Sequence, residues 1–370
     1  MGFNKILALL PLAALASAAH ATPLRNDIYI NAGLEWDTGL FRQFIPEYRI
    51  HVTTVSPSTP PATSIGGIVL VPGFGDSGHI FDKLADQLIA NGQADEVFIV
   101  DMPSMRGPST LDVATPDPRQ RAYSTSSSGS SSSGGFLPPP TPTSLQQIGV
   151  GEYASILDRV LVSLHASHKL KTIAGHSIGG LAIQLLQDWL VGQSSDLLAK
   201  YGIQNTVLIA SDLPGGISWL EQGYARQLIS QQYLVDSKLD AIGKYVATPY
   251  TDFIALKFTS AGQIVPGAPD AIDAIAINKP EPYAAAANIA GLDPTGTTTN
   301  AVPRIGVHGG LWTNRNLKVV GLSADAFFQQ SEVHTLATYL KPGLTETWIE
   351  NPNAVHGAPY SAPELITPLF

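Results

Sequence analysis

Ser177 lies in a Gly-His-Ser-Ile-Gly-Gly stretch at residues 175–180. The apolar run at residues 170–174 predicts a strand before it, and the apolar-rich residues 181–191 predict a helix after it. A serine at such a sharp turn needs small residues two positions away on either side, and glycines stand at both. Ser177 is therefore a candidate nucleophile, with helix capping as the alternative role of its hydroxyl.

Two further segments give this turn a context. An early buried strand predicted at residues 68–71 leads into a Pro-Gly-Phe-Gly-Asp-Ser-Gly stretch at 72–78, and a last strand predicted at 345–350 precedes His356. A serine in mid-chain, a histidine near the C-terminus and an acid between them is the chain order of the α/β-hydrolases. From about residue 48 to the end, the chain resembles the lipase and esterase branch of that superfamily.

The resemblance implies a base for Ser177, since a serine hydroxyl is a weak nucleophile at neutral pH. Among nine histidines, His356 has the expected position after the last strand. His308, in a Gly-Val-His-Gly-Gly stretch, is the alternative. His176 lies inside the turn, and its ring is expected to point away from the Ser177 hydroxyl.

A carboxylate must orient the imidazole and stabilise it once protonated. Asp325 follows a strand predicted at 317–322 and precedes His356 by 31 residues, which matches the usual acid of the superfamily. Asp212, after a strand predicted at 206–210, is the alternative because some members use that position. Its other interpretation is a strand-end carboxylate that caps the following loop.

The developing oxyanion needs two backbone N–H groups. We assign these to Ile178, directly after the nucleophile, and to Phe74, in the glycine-rich loop after the early strand. The commoner pattern has histidine where Pro72 stands. This loop lacks the Gly-x-x-x-x-Gly-Lys spacing of a phosphate loop, and no metal-binding motif occurs, so neither cofactor nor metal is expected.

Strands and helices alternate along the chain and must position these residues. Further strands are predicted at 48–55 and 97–100, and further helices at 79–90, 148–164 and 332–340. The alternation predicts an α/β fold with a mostly parallel central sheet, helices on both faces and a site at the carboxyl ends of the strands. The first strand alternates in polarity and is expected to be antiparallel with one face in water.

Two segments interrupt this alternation. Residues 123–144 form a Ser/Gly tract followed by prolines, which predicts a flexible loop within the domain. Residues 213–302 mix apolar and aromatic residues with Ala-, Pro- and Thr-rich stretches, and the resemblance implies a cap over the site. We therefore predict one hydrolase domain over residues 22–370 that contains both segments.

Residues 1–21 have the pattern of a secretory signal peptide: Lys5, an apolar run at 6–15 and a small-x-small Ala-His-Ala end. The sequence thus predicts export to the periplasm or the medium, with an uncleaved anchor or a buried helix as the alternative. No other segment approaches a transmembrane span. The chain has no cysteine, which excludes disulfides, and its net charge of −9 disfavours nucleic acid as a partner.

Together these features predict an exported serine hydrolase that cleaves carboxylic esters through an acyl-enzyme. The substrate would be a small-molecule or lipid-like ester with an apolar acyl group, because the predicted cap is rich in apolar residues. A charged acyl group would need a basic residue from the cap: Arg226, Lys238, Lys244 or Lys257. The alternatives are hydrolysis of an amide, thioester or carbon–carbon bond, and an inactive hydrolase fold that serves in binding.

Overall fold

An eight-stranded sheet runs through the protein in this computed structural model. The structure describes residues 23–31, 34–37, 42–45, 49–73, 76–101, 150–211, 257–266, 268 and 307–370. The predicted signal peptide and the predicted Ser/Gly/Pro loop lie outside the described residues, as does most of the predicted cap.

The strands of the described residues fall into one large sheet and two hairpins. They are β1 Pro23–Asn31, β2 Leu34–Asp37, β3 Arg42–Ile45, β4 Arg49–Pro57, β5 Gly67–Val71, β6 Val97–Val100, β7 Leu170–His176, β8 Asn205–Ile209, β9 Thr259–Ser260, β10 Gln263–Ile264, β11 Asn316–Leu322 and β12 Thr347–Ile349. The large sheet has the order β1-β4-β6-β5-β7-β8-β11-β12, while β2 pairs with β3 and β9 pairs with β10.

Helices follow most of the strands of the large sheet. They are α1 Asp82–Ala90, α2 Val150–His165, α3 Ile178–Gly192, α4 Leu197–Tyr201, α5 Gln330–Leu340, α6 Ala358–Ser361 and α7 Pro363–Ile366, with 3₁₀ turns at Gly78–Phe81 and Thr367–Leu369. Within the described part of the chain, none of these helices is long and apolar enough to cross a membrane.

The sheet is parallel from β6 to β12 and antiparallel only at β1 and β4. Every residue of β5 and of β6 is buried. Continuous apolar sequences such as Gly-Ile-Val-Leu-Val are what a parallel strand requires, because both faces of the sheet are covered. The predicted α/β fold with a mostly parallel central sheet is therefore confirmed.

The expectation that the first predicted strand has one face in water is wrong. This strand, β4, lies between β1 and β6, and both of its faces carry buried residues. His51 and Thr54 are only 4% and 8% exposed. Position inside a wide sheet, rather than the polarity of its own side chains, decides the burial of this strand.

His51 is buried between two carboxylates. Its Nδ1 lies 2.9 Å from Asp101 Oδ2, and its Nε2 lies 3.0 Å from Asp27 Oδ1. Burial by itself lowers the pKa of His51, but the two carboxylates outweigh it and hold the pKa above the usual value. Asp101 also accepts a hydrogen bond from the Gly78 amide at 2.5 Å, so this cluster ties β4 to the start of the first 3₁₀ turn.

Substitution His51→Gln should make the free energy of unfolding less dependent on pH. A raised pKa in the folded state stabilises the fold below the unfolded-state pKa, and this contribution is lost as pH rises through the folded-state pKa. The stability advantage of wild type over the variant should thus shrink in urea titrations as the pH rises above about 6.5, the usual pKa of a histidine. The exposed His165 provides the matched control, His165→Gln. An advantage of wild type that grows with pH would contradict the prediction.

Candidate active site

Ser177 occupies a strained turn between β7 and α3. Its φ is 52° and its ψ is −124°, a conformation that costs a non-glycine residue about 1–3 kcal/mol unless its surroundings impose it. Those surroundings are present: the Ser177 amide donates to Ile209 O, and Ser177 O accepts from the Gly180 amide and from Ser211 Oγ, each at 2.9 Å. The end of β8 and the first turn of α3 therefore hold this backbone in place.

The glycines around Ser177 are needed for close packing. A Cβ on Gly179 would lie 2.2 Å from Val71 O, and a Cβ on Gly175 would lie 2.5 Å from the Gly180 amide nitrogen. Within the described helix α3, Ser177 stands at the N-cap but its side chain makes no capping hydrogen bond. The geometry thus gives no support to the alternative in which the hydroxyl only caps the helix.

Substitution Gly179→Ala should destabilise the protein by about 3 kcal/mol or more, because the new methyl group meets backbone rather than a movable side chain. Gly192, the last residue of the same helix, has no atom within 4 Å of an added Cβ. Gly192→Ala should therefore leave stability unchanged or raise it by about 0.5 kcal/mol. Urea denaturation of both variants tests this, and equal midpoints for the two would contradict it.

The structure brings Asp325 and His356 together. Asp325 follows β11, His356 follows β12, and His356 Nδ1 donates to Asp325 Oδ2 at 2.9 Å. The other oxygen of Asp325 accepts from the amides of Phe327 and Phe328 at 2.7 and 3.3 Å. Both side chains of the pair are at most 3% exposed, so the carboxylate and the imidazole have a fixed mutual orientation.

Three rings surround the imidazole of His356. The centroids of Phe327, Phe328 and His176 lie 4.6, 5.7 and 4.4 Å from that of His356. Two of these rings are apolar and partly buried against the core. The packing limits rotation of the His356 ring and keeps much of its surface away from water.

His176 joins the turn at Ser177 to the loop of His356. Its Nε2 donates to His356 O at 2.8 Å, and its Nδ1 lies 3.2 Å from Asp76 Oδ2. Burial lowers the pKa of the fully buried His176, and the nearby His356 lowers it further. Both ring nitrogens face oxygens elsewhere, so His176 is not available as the base for its neighbour.

The other residues singled out from the sequence lie as follows. Ile178 is the first residue of α3, where an amide has no acceptor within the helix. Phe74 and Asp212 lie outside the described residues. Gly73, which precedes Phe74, packs closely against the proposed nucleophile, because a Cβ added to it would lie 2.8 Å from Ser177 Cβ. The His308 side chain is 86% exposed and contacts Asp188 of α3 at 2.7 Å, which separates it from the Asp325–His356 pair.

Sequence reasoning missed a buried ion pair beside these residues. Lys257 Nζ lies 2.7 Å from Asp76 Oδ1, and the two side chains are 2% and 0% exposed. Burial alone would raise the pKa of Asp76, but Lys257 and His176 outweigh it and hold the pKa below its usual range. A lone lysine within the apolar residues 253–258 was the available signal, because a charge in such a run must be paired if it is buried.

The chemical capacity of this site follows from its geometry. A carboxylate accepts hydrogen bonds only, so His356 Nδ1 is the donor of the 2.9 Å contact, and in a neutral imidazole Nε2 is then an acceptor. An imidazole in that state can serve as a general base. Among the described residues, no group of three or more histidines and carboxylates could hold a metal ion.

Comparisons with known proteins identify the same fold. The model of the alpha/beta hydrolase family matches residues 68–364. The structure is similar to that of the enol-lactonase from Burkholderia xenovorans LB400, with 12% identity and a TM-score of 0.50 over 87% of this chain and 95% of that chain. It is also similar to a mutant of the N-acyl homoserine lactonase AidH complexed with N-hexanoyl homoserine lactone, with 14% identity and a TM-score of 0.50 over 93% of this chain and 95% of that chain. Among curated protein sequences, none matches significantly.

Proposed function

Because this chain belongs to the alpha/beta hydrolase family, we propose that it hydrolyses carboxylic esters through an acyl-enzyme on Ser177. His356 is the general base in this proposal, and Asp325 is the acid that orients it. The observation that carries the proposal is the 2.9 Å hydrogen bond between His356 and Asp325. This pair lies on loops that meet the strained turn at Ser177 through His176.

In the first half of the reaction, Ser177 Oγ attacks the ester carbonyl carbon while His356 Nε2 takes its proton. The carbonyl oxygen becomes an oxyanion, and the amides of Ile178 and Phe74 are proposed to donate to it. When the intermediate collapses, the bond to the leaving oxygen breaks and His356 gives it the proton. An alcohol leaves, and the acyl group remains on Ser177.

In the second half, water takes the place of the alcohol. His356 removes a proton from the water as its oxygen attacks the acyl carbon, and the same amides hold the second oxyanion. His356 then returns the proton to Ser177 Oγ, which releases the carboxylic acid. The scheme needs only the side chains and amides named here, together with water.

We further propose that the acyl group is apolar and uncharged. The rings of Phe327 and Phe328 flank His356, so part of the surface near the reacting atoms is apolar. The ammonium of the nearby Lys257 already forms an ion pair with the carboxylate of Asp76, so it is not available to pair with a substrate carboxylate. An acyl carboxylate would therefore lose its hydration without gaining a partner among the described residues.

A series of neutral p-nitrophenyl esters should show kcat/KM rising with acyl length until the pocket is full. Two additional methylenes should raise kcat/KM roughly tenfold, because each contributes about 0.8 kcal/mol when it leaves water. A succinyl ester of matched length should react more slowly than its neutral counterpart. A faster succinyl ester would contradict the prediction and would point to Arg226, Lys238 or Lys244, which lie outside the described residues.

A fluorophosphonate probe tests the proposed chemistry separately from the substrate. Covalent labelling at Ser177 requires an activated serine, whichever acyl group the natural substrate carries. Labelling together with ester turnover supports the proposal. Labelling with turnover only of thioesters or amides would move the activity to another bond, and absence of both would favour a binding role. Lactones belong in the panel, since they are cyclic esters.

We also propose that residues 1–21 direct export and are removed. The support is the pattern of one lysine, an apolar run and an Ala-His-Ala end. Mass spectrometry of the protein recovered from the periplasm or medium should give a chain that begins at Thr22. An intact chain retained in the cytoplasm would contradict this proposal.

A further inference from the structure

The ion pair between Lys257 and Asp76 is costly where it lies. Two charges that are 2% and 0% exposed have lost nearly all contact with bulk water. The attraction within such a pair often does no more than offset the loss of hydration, so an apolar pair of similar volume is frequently as stable or more stable. The energetics of folding alone therefore give little reason for this pair to be present, and its connections point to another role.

Through its side chain, Lys257 holds the loop that follows β5. Its partner Asp76 is tied to the start of this loop, since the Asp76 amide donates to Gly73 O at 3.2 Å. The same carboxylate lies 3.2 Å from His176 Nδ1. A Cβ on Gly73 would lie only 2.9 Å from Asp76 Oδ2 and 2.8 Å from Ser177 Cβ. The carboxylate thus lies directly between this loop and the turn of the nucleophile.

Through its backbone, Lys257 holds the loop that carries His356. The Gly357 amide donates to Lys257 O at 2.8 Å. The ring of Phe258 packs over Gly357 so closely that a Cβ there would lie 2.1 Å from Phe258 Cε1. The carbonyl of His356 meanwhile accepts from His176, which itself contacts Asp76. Lys257 and Asp76 therefore complete a ring of contacts with His176 and the His356–Gly357 backbone, and His176 directly precedes Ser177 in the chain.

From these contacts we infer that Lys257 is a positioning residue, which holds the loop after β5 and the loop of His356 in register with Ser177. This inference rests on the proposed function and adds to it a residue from the predicted cap segment at 213–302. Lys257 acts through Asp76 on one side and through Gly357 on the other, and it is not assigned to the substrate. Buried charges suit this task, because an ammonium and a carboxylate keep their separation and orientation more strictly than apolar groups do.

Removal of the ammonium should impair the chemical step more than the binding of substrate. A displacement of about 1 Å in the reacting groups costs on the order of 10²-fold in rate. We expect Lys257→Met to lower kcat about 100-fold with KM changed by less than about threefold, since transition-state contacts are lost while ground-state contacts remain. The rate of fluorophosphonate labelling should fall in parallel with kcat.

The double variant Lys257→Met/Asp76→Asn separates positioning from stability. Lys257→Met alone leaves the buried carboxylate of Asp76 without its ammonium partner and should lower the midpoint of urea denaturation. The double variant removes both charges, so its midpoint should return toward that of wild type while kcat stays low. Lys200→Met provides the matched control, because Lys200 pairs with Asp158 at 2.5 Å on the partly exposed surface between α2 and α4.

Two results would overturn the inference: an unchanged kcat in Lys257→Met, or a double variant that regains kcat together with its denaturation midpoint. The latter would mean that only the balance of buried charge matters. If Lys257→Met fails to fold, the double variant alone decides, since a low kcat would support the inference and a normal kcat would overturn it. A wild-type protein that shows neither labelling nor turnover would instead contradict the proposed function, on which this inference rests.

Discussion

Substitution Ser177→Ala should lower ester turnover by roughly five to six orders of magnitude, because the members of a nucleophile–base unit act together. The free energy of unfolding should change little. The Ser177 side chain makes no capping hydrogen bond to helix α3, and the backbone strain at a φ of 52° is similar for alanine and for serine. The combination of lost activity and kept stability distinguishes a nucleophile from a structural serine.

Ser194→Ala is the matched control for this variant. Ser194 also has a positive φ, 60°, but it is exposed just beyond the other end of α3. It should keep wild-type turnover and wild-type labelling by the fluorophosphonate probe. Retention of more than a few per cent of the activity by Ser177→Ala would remove Ser177 from the proposed mechanism.

Substitution Asp325→Asn should lower kcat on the order of 10⁴-fold, by misplacing a single proton. Asp325 Oδ1 accepts from two amides, so the oxygen of an asparagine would stay there and its NH₂ would face His356. An NH₂ donates a proton, so His356 Nδ1 would have to accept, and the imidazole proton would move to Nε2. The nitrogen needed as the base would then be protonated already.

A second His–Asp pair supplies the control for that experiment. Asp188 contacts the exposed His308, so Asp188→Asn disturbs a similar pair away from Ser177 and should leave kcat unchanged. A large loss of kcat in both Asp188→Asn and His308→Ala would instead identify His308 as the base. A larger loss in Asp212→Asn than in Asp325→Asn would move the acid to the earlier strand.

The turn at Ser177 could be predicted from the sequence because its determinants are close together in the chain. A strand, a tight turn and a helix each leave a local pattern, and the glycines at 175 and 179 stand two residues from the serine. The structure adds which atoms require them. One is local, the Gly180 amide, and the other, Val71 O, comes from the neighbouring strand β5.

The choice between Asp325 and Asp212 could not be made from the sequence. Both follow strands of one parallel sheet, and the carboxyl ends of parallel strands reach the same edge. The contact with His356 depends on how two loops meet: the Ser323 amide donates to Ile349 O and the Ala324 amide donates to Ala354 O, at 3.1 and 3.0 Å. These bonds set Asp325 opposite His356, and the contact supports Asp325 as the proposed acid.

The burial of Lys257 and its ion-pair partner could not be predicted from the positions of charged residues in the sequence. In the sequence Lys257 is one of several basic residues of the predicted cap and a candidate to bind a charged acyl group. In the structure it lies against Asp76, 181 residues away in the chain, and is almost fully buried. No local pattern encodes the partner of a buried charge, because the partner is chosen by packing between distant segments.

The sequence by itself determined the alternation of strands and helices, the parallel sheet and the strained turn at Ser177. Each follows from short-range sterics and from periodic burial, which act over a few residues. The tertiary structure alone decided which carboxylate meets His356, that β4 has no face in water, and that Lys257 joins the loop after β5 to the loop of His356. These outcomes depend on contacts between segments far apart in the chain, and such contacts exist only once the whole core is packed.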